Sequence, residues 1–283
     1  MNRLVITMGD PCGVGPEIIV KFFDGIYKVE DKRLFLVVVG SKSVLEYYKK
    51  KLRIDLEIVE ITKAHIVDGK LENGKLHLIN IDTDIDKLEF GKHTELGGAL
   101  SIKYLDKAIE LCHGKYVDGI VTCPISKDSI NMAGFKYSGH TEYLAEKSKT
   151  EDFAMVLKGK KVVVLLNSTH VSLKEAINRV TKESVLNKIR LAQKAKKELG
   201  LTGAIAVAGL NPHNGENGLF GTEEIEIIAP AVEEAQKEGI DCEGPIVPDS
   251  LFVKVVKGQY AISVVMYHDQ GLIPMKMESF GMG

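Results

Sequence analysis

The stretch Val162–His170 (VVVLLNSTH) joins a run of five apolar residues to a short polar loop that ends on a histidine. Two later stretches repeat the design: Ala204–His213 (AIAVAGLNPH) and Ala261–His268 (AISVVMYH). Short β-branched runs bounded by turn-forming residues are typical of buried strands in a parallel sheet. In an open α/β sheet, ligands bind at the edge where the carboxyl ends of the strands meet. The repeated design therefore predicts one sheet edge that carries three imidazoles.

Three neutral imidazoles at one edge can share a divalent metal ion and leave a coordination position open for substrate. A single histidine after a strand is equally typical of a loop residue with one hydrogen bond, but the repetition favours the metal site. We therefore predict that His170, His213 and His268 are metal ligands. Ligand softness favours Zn²⁺, with Mg²⁺, Mn²⁺ and Co²⁺ as alternatives. The remaining histidines except His140 are predicted to be structural or solvated: His65, His77, His93 and His113.

Composition narrows the class of protein. The chain has 283 residues and a formal charge of −2, from 37 basic and 39 acidic side chains, so neither nucleic acid nor a membrane surface is indicated as a partner. Its four cysteines lack C-x-x-C spacing, which is typical of reduced thiols. The opening Met1–Thr7 is too short for a signal peptide and no apolar run reaches the length of a membrane span, so we expect a cytoplasmic protein.

Apolar strand-like runs alternate with amphipathic helical stretches along nearly the whole chain, which predicts the α/β class with largely parallel sheets. No Pro/Gly/Ser-rich linker divides the chain, so we expect any second domain to be an insertion. The last strand-like run, Tyr260–Met266, is followed by no obvious helical pattern. We therefore expect the sheet to be uncovered at that end.

Four more loops carry residues suited to a binding site. Gly13 and Gly15 lie in a glycine-rich strand-to-helix turn that could approach a cofactor, although the turn lacks a dinucleotide-binding fingerprint and is equally explained as structural. His140 and Thr141 directly precede a predicted helix, Glu142–Ser148, where an anion or a simple helix cap would fit equally well.

Asp249 and Lys276 complete the set of predicted site residues. Asp249 lies in a rigid proline-containing loop, where an acid can be a base, a metal ligand or an ordinary turn residue. Lys276 follows His268 and can pair with a substrate anion or remain a surface lysine.

Taken together, these loops resemble the 4-hydroxythreonine-4-phosphate dehydrogenase family of vitamin B6 (pyridoxal phosphate) synthesis. The matching segments span most of the chain and are, in order, MGDPCGVGPEI, SGHTE, LNSTH, GLNPHNGENGLFGTEE, GPIVPDSLF and YHDQGLIPMK. The resemblance implies an isocitrate/isopropylmalate-dehydrogenase-like fold of two α/β/α domains with a cleft between them, in a homodimer whose active site uses both subunits. The first domain would comprise residues 1–125 and 250–283, truncated at its C-terminal side because the family's pattern continues past Gly283, and the second would comprise residues 126–249.

The resemblance also implies an activity and roles for individual residues. The family oxidises the C3 alcohol of 4-phosphooxy-L-threonine with NAD or NADP, and the product loses carbon dioxide to give 3-amino-2-oxopropyl phosphate. His170, His213 and His268 would be the metal ligands. His140, Thr141 and Lys276 would contact the substrate, and Asp249 and Lys276 would be the catalytic side chains. Residues that contact the dinucleotide remain unassigned, with Gly13 and Gly15 as the only suggestions.

Three alternatives share much of this sequence pattern. A sister dehydrogenase would act on D-threonate 4-phosphate or D-erythronate 4-phosphate. A zinc hydrolase would use the same three histidines to activate water and would need no dinucleotide. An inactive relative would bind metal without turnover.

Overall fold

The computed structural model describes residues 2–26, 34–69, 72, 74–137 and 139–279. The chain divides into two compact units, Met1–Thr150 and Glu151–Gly283. Each unit contains one five-stranded sheet with helices packed against it. The predicted α/β class with largely parallel sheets is confirmed.

The first unit has a wholly parallel sheet in the order β3-β4-β2-β1-β5. Its strands are β1 (Asn2–Thr7), β2 (Leu34–Gly40), β3 (Ile58–Glu60), β4 (Leu76–Asn80) and β5 (Gly119–Thr122). Its α-helices are α1 (Gly15–Lys21), α2 (Lys42–Leu52), α3 (Lys63–Asp68), α4 (Glu95–His113), α5 (Lys127–Met132) and α6 (His140–Lys147). The strand β2 reads LFLVVVG and is buried from Phe35 onwards, as expected of a parallel strand that is covered on both faces.

The second unit has the strand order β6-β7-β10-β8-β9, in which only β6 is antiparallel to its neighbour. Its strands are β6 (Val156–Lys158), β7 (Val163–Leu166), β8 (Ala204–Ala208), β9 (Cys242–Ile246) and β10 (Tyr260–Val265). Its α-helices are α7 (Leu173–Asn178), α8 (Lys182–Glu198), α9 (Ala229–Lys237), α10 (Pro248–Val256) and α11 (His268–Ser279). The three strands that precede the predicted metal ligands, β7, β10 and β8, are adjacent and parallel.

The unit boundary differs from the one expected by resemblance. The strand β10 lies at the centre of the second sheet, and α10 and α11 belong to the same unit. The described part of residues 250–283 therefore lies in the second unit, and the boundary falls at Thr150 instead of residue 125. Element alternation reveals the order of strands along the chain, but the sheet that a strand enters depends on long-range pairing.

The expectation that no helix follows the last strand was wrong. The helix α11 runs from His268 to Ser279 and contains Pro274, which lacks the N–H that a helix interior normally uses. Gly271 lets the helix approach the sheet closely, since a methyl group there would lie 2.8 Å from the Val265 side chain. The internal proline concealed this helix from a reading of the sequence pattern.

A second close approach, between α4 and α5 in the first unit, gives a testable prediction. An added Cβ at Gly98 would collide with the carbonyl group of Ser129. We expect Gly98→Ala to destabilise the first unit by about 1–3 kcal/mol, because overpacking forces the two backbones apart. Urea unfolding measures the change. Gly25→Ala in the same unit is the control, since a methyl group there meets no described atom within 4 Å; equal stability of the two variants would contradict the prediction.

Candidate functional site

The second sheet brings the three histidine loops to one edge. His170, His213 and His268 each follow a strand of the adjacent set β7, β8 and β10. Because these strands are parallel, all three loops leave the sheet at its carboxyl edge, where α/β proteins bind ligands. The central strand of the three, β10, leads to His268, which is the first residue of α11.

Two of the three imidazoles face one cavity. The ring centres of His170 and His268 are 5.4 Å apart, with the ring planes inclined at 46°. Both residues line a cavity of about 290 Å³ together with Thr169, Tyr267 and Asp269. Two imidazoles bound to one zinc ion at roughly 2.0–2.1 Å have ring centres about 5 Å apart, so the spacing of this pair fits a shared cation.

The hydrogen bond between His268 and Asp269 determines which ring nitrogen of His268 can bind a cation. Nδ1 lies 2.7 Å from Oδ1 of Asp269, and a carboxylate there can only accept, so the ring donates its proton from Nδ1. The lone pair on Nε2 is then free to bind a cation. A carboxylate that orients a histidine in this way is typical of metal sites. Asp269 was missed in the sequence, although its position directly after His268 is a signal for this arrangement.

His213 lies in a neighbouring cavity. It lines a space of about 290 Å³ together with Asp249 and Tyr267, and Tyr267 also lines the cavity of the other two histidines. Within the described ranges, no group of three or more His, Cys, Asp or Glu side chains is arranged to hold a metal ion. His170 and His268 therefore line one cavity, His213 and Asp249 line a second, and Tyr267 lines both.

The His213 loop has an unusual backbone. Five successive residues, His213 to Asn217, have φ between 45° and 76°, in the left-handed region that residues other than glycine rarely occupy. Such backbone is retained only where the surrounding structure imposes it, and it is common at functional sites. The density of turn formers in NPHNGENG predicted an unusual loop, but not this conformation.

A buried carboxylate holds the start of that loop. Glu224 is 2% exposed, and its Oε1 accepts hydrogen bonds of 2.6 Å from the backbone N–H groups of Leu210 and Asn211. Its Oε2 accepts a third bond of 2.9 Å from the side-chain amide of Asn211. Glu224 therefore fixes the chain immediately before His213. The sequence carries no signal for this role, since the carboxylate lies well beyond the loop that it holds.

Lys276 is not brought to these cavities. It lies on α11, eight positions beyond His268, where the helix has advanced by about 12 Å. Its side chain is exposed and lines neither the His170 cavity nor the His213 cavity. Within the described residues of the second unit, Lys276 stands apart from the other predicted site residues.

His140 and Thr141 are the first two residues of α6 in the first unit, so the helix begins two residues before its predicted start at Glu142. Ser138 of the same motif lies outside the described residues. The ring of His140 lies near the backbone of Cys123. Its Nε2 is buried and has no hydrogen-bond partner among the described residues. Burial lowers the pKa of His140 below its ordinary value, so the ring is neutral at neutral pH and keeps one polar atom free for a ligand.

The lowered pKa has a measurable consequence for stability. Because the folded state resists protonation at His140, the unfolded chain binds more protons as the pH falls below 6.5, the ordinary value for the group. The free energy of unfolding is therefore highest above that pH, as far as His140 is concerned, and it decreases as the pH falls towards the pKa of His140 in the folded protein. Burial lowers the pKa of His77 in the same way. We expect ring-proton NMR titrations of both histidines, assigned with His140→Gln and His77→Gln, to have midpoints below 6.5; midpoints at or above it would contradict the prediction.

The two suggested cofactor glycines differ in their surroundings. A Cβ at Gly15 would collide with the carbonyl oxygen of Met8, so Gly15 is needed for the packing of α1 against the end of β1. Gly13 lines a cavity of about 300 Å³ that also contains the buried carboxylate of Asp10. Asp10 accepts hydrogen bonds from Cys12 N and Ser129 Oγ, which fixes the turn. The structure therefore explains Gly15 by packing and leaves Gly13 open to a ligand.

Two predictions about the chain as a whole can also be compared with the structure. All four cysteines are free thiols, in agreement with the absence of a disulfide framework. Burial raises the pKa of Cys123 to about 11, which makes this thiol unreactive. Among the described helices, none is long and apolar enough to cross a bilayer.

The chain is similar in sequence and in structure to proteins that are named dehydrogenases. A protein of Fusobacterium nucleatum, provisionally named D-threonate 4-phosphate dehydrogenase, is 43% identical over 280 residues, which are 99% of this chain and 83% of that protein. A 4-hydroxythreonine-4-phosphate dehydrogenase of Sulfurihydrogenibium is 41% identical over 282 residues, which are 99% of this chain and 84% of that protein. The crystal structure of the Klebsiella pneumoniae 4-hydroxythreonine-4-phosphate dehydrogenase superposes with a TM-score of 0.89 at 35% identity, covering 99% of this chain and 84% of that one.

The fold and these relatives define an α/β oxidoreductase of the dehydrogenase class. Residues 32–283 match the family described as pyridoxal phosphate biosynthetic protein PdxA. The chain belongs to the PdxA family, which confirms the resemblance drawn from its loop motifs.

Proposed function

We propose that this protein is a metal-assisted, NAD(P)-dependent dehydrogenase that oxidises 4-phosphooxy-L-threonine and releases carbon dioxide. The observation that carries the proposal is the pair of imidazoles, His170 and His268, with ring centres 5.4 Å apart at the carboxyl edge of the second sheet. The family membership supports the substrate class. The product would be 3-amino-2-oxopropyl phosphate, a precursor in pyridoxal phosphate synthesis.

The proposed ligands of the divalent cation are His170, His213 and His268. The free Nε2 of His268 and the spacing to His170 fit a cation, and the loop of His213 adjoins them through Tyr267. Imidazole donors favour Zn²⁺, with Mn²⁺, Co²⁺ and Mg²⁺ as alternatives. A bound cation would supply Lewis acidity at the substrate oxygens. NAD or NADP would supply the hydride acceptor, and the residues that bind it remain unassigned, with Gly13 the remaining suggestion.

The reaction divides into two balanced steps. In the first, C3 would give up its hydrogen as hydride, for which bound NAD or NADP would supply the acceptor, and the hydroxyl proton would pass to a base. Second, the bond between C1 and C2 breaks, carbon dioxide leaves, and C2 takes up a proton. We propose Asp249 as the base, because its carboxylate lines the same cavity as His213.

The remaining proposed contacts are with the substrate. The neutral ring of His140, with its free buried Nε2, can donate to or accept from a polar substrate group, and Thr141 adds a hydroxyl at the same helix start. The family resemblance alone supports the proposal that Lys276 binds a substrate anion, because Lys276 lies on the same helix as His268 but lines neither histidine cavity. In the first unit, the only other suggested contact is that of Gly13 with the dinucleotide.

We also propose a homodimer, as the resemblance implies. Large apolar side chains are exposed next to the His213 loop: Leu219 is 73%, Phe220 52% and Ile225 54% exposed. Exposed apolar groups in close succession are typical of interaction surfaces. Sedimentation equilibrium tests the proposal, and a monomer of 31.1 kDa at micromolar concentration would contradict it.

A second candidate substrate is D-threonate 4-phosphate, because a relative that is 43% identical carries that name. The two substrates differ at C2, which bears an amine in one and a hydroxyl in the other. The same oxidation and decarboxylation apply to both. The dehydrogenase chemistry therefore does not depend on this choice.

The test is NAD(P)H formation, followed at its absorbance, with each substrate in the presence of Zn²⁺, Mn²⁺, Co²⁺ or Mg²⁺. The proposal expects the highest kcat/KM with 4-phosphooxy-L-threonine and one carbon dioxide released for each NAD(P)H. Turnover of D-threonate 4-phosphate without turnover of 4-phosphooxy-L-threonine would show that the threonate is the substrate. Release of phosphate without any change in NAD(P)⁺ would instead identify a hydrolase.

A further inference from the structure

A small set of buried polar side chains lies directly beneath the histidine loops. Ser168 is 3% exposed and Gln270 is 8% exposed, and both lie beside the apolar core of the second unit. Ser168 lies in the loop of His170, and Gln270 lies in the first turn of α11, after His268. Neither residue belongs to the predicted site, and neither lines a cavity of the histidines.

Gln270 connects the central loop to the His213 loop. Its Oε1 accepts a hydrogen bond of 2.7 Å from the backbone N–H of Met266, at the end of β10. Its Nε2 donates one of 2.7 Å to the carbonyl oxygen of Gly209, which begins the loop after β8. A single amide side chain therefore joins the segments that lead to His268 and His213.

Ser168 connects the central loop to the His170 loop. Its Oγ donates a hydrogen bond of 3.0 Å to the carbonyl oxygen of Met266. Both backbone polar groups of Met266 are thus used by side chains, the N–H by Gln270 and the carbonyl by Ser168. The loops that follow β7 and β8 are therefore both linked to Met266, which lies two residues before His268. Ser168 links the first loop and Gln270 links the second.

These bonds act where the strand ladder has ended. The paired registers stop at Val265–Leu166 and at Val264–Val207, and a backbone hydrogen bond of 2.8 Å still joins the N–H of Asn167 to the carbonyl oxygen of Val265. Beyond these residues the backbone ladder no longer fixes the three loops relative to one another. Buried hydrogen bonds have narrow distance and angle requirements and therefore restore that constraint beyond the ladder. A shift of the Gly209 carbonyl would break the bond to Gln270 and leave a buried amide unpaired, which is costly.

We propose that Ser168 and Gln270 are positioning residues that set the relative placement of His170, His213 and His268, and so determine the affinity of the site for a divalent cation. This inference rests on the proposed metal site. Neither side chain touches the cation. Each acts through the backbone of the loops that carry the ligands, with Met266 as the common point.

The chain supplies a matched control for Ser168. Ser263 lies on β10 in the same unit, is fully buried, and its hydroxyl has no partner among the described residues. Ser168→Ala and Ser263→Ala remove the same atom from buried sites in one sheet, but only the first removes a bond between histidine loops. Gln270→Met removes both amide bonds at nearly constant length. Gln270→Glu keeps the acceptor for Met266 and loses the donor to Gly209, and it serves as the second variant if the first does not fold.

The experiment measures the Kd for Zn²⁺ of the full folded chain by competition with a chromophoric chelator, well below the melting temperature. We expect Gln270→Met to raise the Kd by about 10- to 100-fold, Ser168→Ala by a smaller factor, and Ser263→Ala not at all. A purely structural role would lower the melting temperature without changing the Kd of the folded protein. Wild-type Kd values in folded Ser168 and Gln270 variants would overturn this inference alone, whereas absence of zinc binding by the wild-type chain would overturn the proposed metal site itself.

Discussion

His268→Ala is expected to lower the kcat/KM of the zinc-loaded enzyme on the order of 10³-fold. The replacement removes the imidazole that pairs with His170 at 5.4 Å and that Asp269 orients through Nδ1. A bound cation supplies several kcal/mol of transition-state stabilisation, and each roughly 1.4 kcal/mol is a factor of ten in rate. The measurement is NAD(P)H formation at saturating Zn²⁺, together with the Kd for Zn²⁺, which we expect to rise by more than the roughly 100-fold of an outer-shell change.

The control is His113→Ala, which removes an exposed imidazole at the end of α4 in the first unit. We expect this variant to retain wild-type kinetics and zinc affinity. The double variant with His170→Ala is expected to lose little more than His268→Ala alone, because two ligands of one ion act as a unit. Independent losses that multiply, or a His268→Ala enzyme with wild-type zinc affinity, would contradict the shared site.

Glu224→Ala is expected to destabilise the second unit by about 3–5 kcal/mol, because it leaves buried N–H groups without partners. The lost acceptor serves Leu210 N and Asn211 N at 2.6 Å each, and also the side-chain amide of Asn211. With that anchor removed, we also expect the left-handed segment His213–Asn217 to relax towards more common backbone conformations. Urea unfolding, monitored by circular dichroism, measures the change in the free energy of unfolding.

Glu226→Ala provides the comparison, since Glu226 is exposed on the same segment of chain. A surface change of this kind usually alters stability by less than about 0.5 kcal/mol. Glu224→Gln is expected to fall between the two, because the amide oxygen can still accept from the backbone while its NH₂ faces the donor of Asn211. A Glu224→Ala variant as stable as Glu226→Ala would show that the buried carboxylate does not hold the loop.

The order of elements and the histidine edge could be predicted from the sequence because both depend on local patterns. Short runs such as VVVLL and AIAVA, bounded by turn-forming residues, are typical of buried strands, and a polar loop after each places its histidine at the carboxyl edge. The strands β7, β10 and β8 do lie side by side, so the three loops share that edge. Their adjacency is the part of the candidate site that the sequence predicted best.

What the sequence did not predict depends on long-range pairing. The strand β10 was expected to return to the first domain and instead lies at the centre of the second sheet. The buried partners Glu224, Gln270 and Ser168 were missed, because their hydrogen bonds join residues that are distant in the chain. The sequence also did not predict that Lys276 lies away from the two cavities, because the helix α11 that separates it from His268 was not recognised.

The most direct test of the account is the position of bound zinc, from anomalous diffraction at the zinc absorption edge on crystals grown with Zn²⁺. The account predicts one anomalous peak at the carboxyl edge of the second sheet, within bonding distance of His170, His213 and His268. A peak bonded to other side chains, or no peak near His170 and His268 in crystals saturated with zinc, would contradict it.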